Sequence, residues 1–154
     1  MLVRHTSMGA RRKSRELALQ MLFQYDISGN APETIVVTFE DLHKVKPPVR
    51  DFAVRLFEGT IRNIEQIDQM VVEQADNWRL ERMAVVDRNI IRMSVYEFMH
   101  EDETPKLVII DEAIEIAKKF GTQKSGQFIN GILDGILKRY NLQEAGGRST
   151  RSGG

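Results

Sequence analysis

Residues 108–136 read VIIDEAIEIAKKFGTQKSGQFINGILDGI, and how they are read decides the fold. They begin inside a segment, KLVIIDEAIEIAKKF (106–120), that follows Pro105 and has a helical pattern. Gly121 closes it as the expected glycine of a helix C-terminus, and Lys118 and Lys119 suit the negative end of the helix dipole. A second helix begins near Ser125 and places Phe128, Ile129, Ile132, Leu133, Ile136, Leu137 and Tyr140 on one face. Gly131 and Gly135 each cost about 1 kcal/mol against alanine inside that helix. Their spacing of four predicts close approach of a neighbouring backbone.

Working outward, a helix is expected from about residue 86 to 100, carrying Ile90, Ile91, Met93, Val95, Phe98 and Met99. Before it, DNWRLERM breaks the apolar spacing. Pro47 and Pro48 open a long helix, because proline is tolerated in a first turn. Its apolar positions, from Val49 to Val72, keep helical spacing to about Ala75. SGNAPE (28–33) is a turn, and the segment to residue 46 reads at most as a short helix. The first helix runs from about Ser14 to Ile27, with Ala18, Met21, Leu22 and Tyr25 as a core stripe. Leu19, Phe23 and Ile27 form a second stripe roughly opposite, which means either burial on both sides or a partner face. EAGGRSTRSGG reads as a disordered tail. No alternation of strand type and no repeat stands out. The expected fold is all-α, with six to seven helices.

Formal net charge is zero, yet residues 1–15 hold five cations and no acid, which leaves 17 basic against 22 acidic groups beyond them. A neutral chain with one basic tip suggests a localised anionic partner. Arg11, Arg12, Lys13 and Arg15 sit at or just before a helix N-terminus, where the dipole disfavours each exposed cation by roughly 0.3–1 kcal/mol. Four contacts to single-stranded phosphates would reverse that cost and give a salt slope of about −3. The absence of cysteine removes disulfides, thiolate nucleophiles and cysteine-based zinc sites. No apolar run approaches the ~18 residues of a membrane span, and MLVRHTSMG lacks the apolar core of a signal peptide. A cytoplasmic protein is expected.

Two patterns invite chemistry. Glu40-Asp41-Leu42-His43 and Glu97-Phe98-Met99-His100 are both Glu-x-x-His, as in di-metal carboxylate bundles. One lies in the ambiguous segment before Pro47, and the other ends a helix beside Glu101, Asp102 and Glu103, so both histidines are expected to face water. GTQKSG (121–126) resembles part of a nucleotide-binding loop, but Gln123 stands where the glycine belongs and no strand precedes it. The loop still offers Lys124, Ser125 and helix N-terminal amides to an isolated phosphate. Phe128 beside it is either a stacking ring for a base or a core phenylalanine.

Three stretches, ARRKSRELALQMLFQYDIS (10–28), VVDRNIIRMSVYEF (85–98) and the opening 108–136, resemble the NusB family of bacterial transcription antitermination factors. The likeness spans roughly residues 10–140. It implies two small helical bundles packed at an angle, approximately 10–77 and 78–142, after a flexible 1–9 and before a tail from 143 to 154. It also implies no catalysis; no cofactor and no metal site are expected. NusB proteins bind the boxA element of nascent RNA, in ribosomal RNA operons and other transcripts, together with NusE, which is also a small-subunit ribosomal protein. That complex joins RNA polymerase and other Nus factors. Carried over by position, the RNA-binding residues are Arg11, Arg12, Lys13, Arg15, Lys119, Gly121, Lys124, Ser125, Gln127, Phe128 and Asn130. The NusE face takes Leu19, Phe23 and Ile27, with Glu81 and Asp87. Gln127 stands where a basic residue is commoner, Lys124 where an acid is, and Asp87 where glutamate is.

Other functions fit less well. Some cytosine methyltransferases of ribosomal RNA carry a NusB-like domain, but they need an α/β cofactor domain and a cysteine nucleophile, and this chain has neither. A protein-interaction module using Leu19, Phe23 and Ile27, with the basic tip incidental, is the remaining alternative. Homodimerisation would use the same faces.

Overall fold

The computed structural model describes residues 8–76 and 79–143. Most of the expected flexible segment 1–9, and the expected tail apart from Gln143, lie outside the described residues. Among the latter, seven α helices are present and no strand: α1 (Met8–Ser28), α2 (Pro32–Thr38), α3 (Pro47–Arg62), α4 (Ile64–Gln74), α5 (Val85–His100), α6 (Lys106–Phe120) and α7 (Ser125–Arg139). Short 3-10 turns span Glu40–Lys44 and Leu80–Arg82. The chain divides into two compact units between Ile64 and Glu65, earlier than the approximate 77/78 boundary.

In the first unit α1 packs on α3 and α2. Its expected core stripe is buried at Ala18, Met21 and Leu22, joined by Leu17. They meet a core built from Ile35, Leu42, Phe52, Ala53, Leu56 and Phe57. Each large side chain so buried contributes about 1.5–3 kcal/mol over exposure. Tyr25 is only half-buried, with its ring edge-on to Phe57 at 6.5 Å between centroids. α1 starts six residues before the expected Ser14, because GARRK carries no apolar stripe to announce it. Ser14 is interior instead, and its hydroxyl donates to Val49 O at 2.8 Å on α3.

The helix expected to run unbroken to Ala75 is two helices. Asn63 donates both its backbone N–H (3.1 Å) and its side-chain amide (2.7 Å) to Gly59 O, and its φ of −108° with ψ of 16° leaves the α basin. An asparagine side chain that bonds local backbone competes with the helix ladder in this way.

The second unit is organised around α5, whose residues 89–98 are all buried, with α6 and α7 packed on it and on each other. Burying polar groups demands partners. Arg92 forms a bidentate pair with Asp68 of α4 (Nε–Oδ1 2.7 Å, Nη2–Oδ2 2.8 Å) and donates to Asn89 Oδ1 at 3.1 Å. α4 is further tied by Arg139 Nε donating to Gln74 Oε1 at 3.0 Å and by Tyr140 OH donating to Glu73. These bonds are why α4 belongs with the second unit.

Two glycine expectations change. A Cβ at Gly135 would overlap the side-chain amide of Gln74, not a backbone, and nothing approaches Gly131. Gly121 is not left-handed (φ −101°, ψ −162°). Its requirement is steric: a Cβ there would sit 2.5 Å from Ser125 Oγ and 2.9 Å from Ala117 O.

Candidate nucleic-acid and partner interfaces

The basic cluster occupies the first two turns of α1, with no acid in the first turn. Lys13 is exposed and Arg11 and Arg12 half-buried. Arg15 is buried to 3% exposure, so it presents little surface to any ligand. Its guanidinium lies 5.5 Å from the Phe52 ring centroid, and Arg11 lies over the same ring at 4.4 Å. Arg55 of α3 adds a third guanidinium at 5.1 Å. Cation–π attraction of about 0.5–2 kcal/mol apiece holds such groups in place. Arg55 was missed from sequence, although its place three residues after Phe52 on one helix was a usable signal.

The turn between α6 and α7 is closed by hydroxyls. Ser125 Oγ accepts the Thr122 N–H at 2.9 Å, while Thr122 Oγ1 accepts the Lys124 N–H at 3.3 Å. The Ser125 N–H goes to Thr122 O at 3.1 Å. The two hydroxyls and the Thr122 carbonyl thus close the turn locally before α7 begins. Of the amides at the start of α7 that the sequence offered to a phosphate, those of Lys124 and Ser125 are committed within the turn. Ser125 itself is 1% exposed and holds the turn from beneath.

Around this turn lie two shallow clefts. One, of about 530 Å³, is lined by Ile114, Lys118, Gly121, Gln127 and Asn130 among others. The other, of about 410 Å³, is lined by Arg82, Met83, Asp87, Lys124, Gln127 and Phe128. Gln127 and Thr122 border both. Lys119, Lys124, Gln127 and Asn130 are exposed, and Phe128 is half-buried, between the two readings offered for it. The Lys119 ammonium lies 5.4 Å from the Phe120 ring. Arg82, which sequence reasoning passed over, sits in the segment that only broke a pattern and so carried no periodic signal.

The second stripe of α1 splits along its length. Leu19 is buried (4% exposed) and belongs to the core, whereas Phe23 (44%) and Ile27 (69%) are exposed. In the second unit Glu81 is exposed on its 3-10 turn. Asp87 is buried in the first turn of α5, where an acid suits the dipole, and its Oδ1 has no hydrogen-bond partner. His43 and His100 are both exposed; His43 Nε2 lies 3.1 Å from Val36 O and the His100 ring stacks on Tyr96. Among the described residues no three His, Cys, Asp or Glu side chains gather as a metal site would need, and no helix is long and apolar enough to cross a membrane.

The described fold is all-helical, with open clefts and exposed basic side chains rather than an enclosed pocket. The NusB family model matches residues 12–138. The transcription antitermination protein NusB of Koribacter versatilis is 46% identical over 136 residues, 88% of this chain and 93% of that protein. The NusB protein of Sorangium cellulosum is 43% identical over 131 residues, 85% and 94% of the two chains. Among solved structures, NusB of T. maritima matches with a TM-score of 0.75 at 37% identity, covering 83% of this chain and 90% of its own. A chain from the crystal structure of antitermination factors NusB and NusE in complex with double-stranded RNA matches at 0.78 and 25% identity, covering 87% and 100%. The chain belongs to the NusB family.

Proposed function

We propose that this chain is a transcription antitermination factor that binds boxA-like single-stranded RNA jointly with NusE. The observation that carries the reading is the basic cluster in the first two turns of α1, where Arg11, Arg12 and Lys13 follow one another with no acid in the first turn. RNA phosphates would neutralise that concentrated positive charge. Relatives named for antitermination, and a structural neighbour solved with NusE and RNA, support it. The activity is binding, not catalysis.

In this reading Arg11, Arg12, Lys13, Lys119 and Lys124 meet phosphates, which position the RNA without specifying its sequence. Gln127 and Asn130 offer exposed side-chain amides to base edges, and Phe128 offers its ring to a base. Arg15, Ser125 and Gly121 act from beneath, through Phe52 and the α6–α7 turn. Phe23 and Ile27 dock NusE, while Glu81 and Asp87 supply acids to it; a homodimer would bury the same apolar pair and so compete with NusE. The ternary complex works in the cytoplasm on RNA polymerase, with other Nus factors.

The test is fluorescence anisotropy of a boxA-like RNA and a scrambled control, each titrated with the protein with and without NusE at fixed salt. Tighter boxA binding that NusE strengthens is expected. Equal, weak binding of both RNAs, indifferent to NusE, would leave only a helical interaction module with a basic tip.

A further inference from the structure

Arg82 stands outside the three stretches that carry the family likeness, yet it lines the cleft of about 410 Å³ together with Lys124, Gln127 and Asp87. The 3-10 turn that carries it, Leu80–Arg82, is pinned. The Arg82 and Met83 N–H groups donate to Arg79 O (2.9 Å) and Leu80 O (3.1 Å), and Arg88 Nη1 of α5 donates to Leu80 O at 3.3 Å. The Met83 side chain is buried beneath. The backbone at Arg82 is therefore placed in advance, which lowers the ordering cost of any contact made from it. Its side chain is exposed and makes no hydrogen bond or ion pair among the described residues, and the same holds for the Lys124 side chain in the same cleft. The acid that lines the cleft, Asp87, is buried in the first turn of α5. Two exposed cations thus share one open cleft, an arrangement that an anion relieves. A guanidinium fork suits an anion with paired oxygens, which a phosphodiester presents.

We propose that Arg82 holds one phosphodiester of the bound RNA at the mouth of this cleft, beside Lys124, and so carries the strand from the α6–α7 turn onto the turn before α5. The inference rests on the RNA-binding reading above and adds a contact from a segment to which that reading gives only Glu81, as an acid for NusE. A carboxylate of a partner protein would offer Arg82 the same oxygen pair. Lys124 and Gln127, which line the same cleft and lie on the RNA path, favour the phosphate.

Binding of a boxA-like single-stranded RNA by the full chain, measured by anisotropy across a potassium chloride series, tests it. Losing one phosphate contact flattens the slope of log affinity against log salt by about 0.7 for a single strand. R82A is expected to show that change and a loss on the order of tenfold at low salt. R82K should keep the slope and lose part of the affinity. R79A, at an exposed arginine just before the same turn but outside the cleft, should match the unsubstituted chain. Because the Arg82 side chain is exposed, R82A should fold, which circular dichroism checks. If R79A flattens the slope as much as R82A, the effect is general charge and the cleft contact is wrong. If R82A leaves RNA binding by the chain alone unchanged but weakens NusE binding in calorimetry, Arg82 faces the protein and the proposal fails. If K13A flattens the slope while R82A changes nothing, the contact is wrong and the RNA reading stands. If the unsubstituted chain binds boxA no better than scrambled RNA and shows no salt dependence, both fall together.

Discussion

Arg92 brings a permanent charge into the most enclosed helix of the second unit, where its bidentate pair with Asp68 and its bond to Asn89 help make that tolerable. Removing one member of such a pair strands the other, which costs more than the pair contributes. Asp68→Ala should therefore lower unfolding free energy by about 3 kcal/mol, read from the midpoint of urea denaturation at unchanged slope. Tyr140 offers a pH test. Partial burial, then its bond to Glu73 and that carboxylate's charge, raise the phenol above its ordinary 10.0, with Arg139 opposing. A raised pKa means the contribution is intact below pH 10 and is lost as pH climbs through the raised value. Tyr140→Phe should flatten the alkaline loss of stability in melts taken between pH 9 and 11. At this scale the sequence was legible for residue type and less so for exposure. Arg15 was read as a cation meeting RNA phosphate, but it is buried near the Phe52 ring; Leu19 shares spacing with Phe23 and Ile27, yet the core reaches only the first of the three.

Among the helices, α6 and α7 were readable nearly to the residue, because Pro105, Gly121 and a single apolar face mark them. The break between α3 and α4 was not, since apolar spacing runs straight through Asn63 and asparagine is no strong breaker. α1 shows what a helix can do when only part of its second stripe is covered. Phe23 and Ile27 contribute little to the fold, so replacing both by serine should leave stability within about 0.5 kcal/mol per site. If they are central to the NusE interface, the same change should weaken NusE binding by about 2 kcal/mol or more, roughly thirtyfold. Titration calorimetry would show it, and unaltered affinity would move the interface elsewhere.

For the molecule as a whole, a net charge of zero conceals a division of labour between a basic tip and an acidic remainder. Charge reversal at Arg11, Arg12 and Lys13 should abolish RNA binding while sparing NusE. With Arg15 buried, these three account for a salt slope near −2, down from the −3 expected of four exposed cations. Loss of both partners together would mean that the substitutions damaged α1 itself. Fold class was legible from periodicity alone. The division into units was not, because it depends on the side-chain bonds that draw α4 to α5 and α7.

The enclosure of α5 also sets a clock. An amide surrounded on every side by packed helices meets deuterium only when its neighbours leave, whereas a short, half-exposed helix such as α2 opens on its own. Transferred to heavy water, residues 89–98 should hold their protons longest, at a rate that reports opening of the entire second unit. The Asp68→Ala variant should speed that exchange by the factor its lost stability dictates, while the amides of α1 and α3, which answer to a different core, keep their own time.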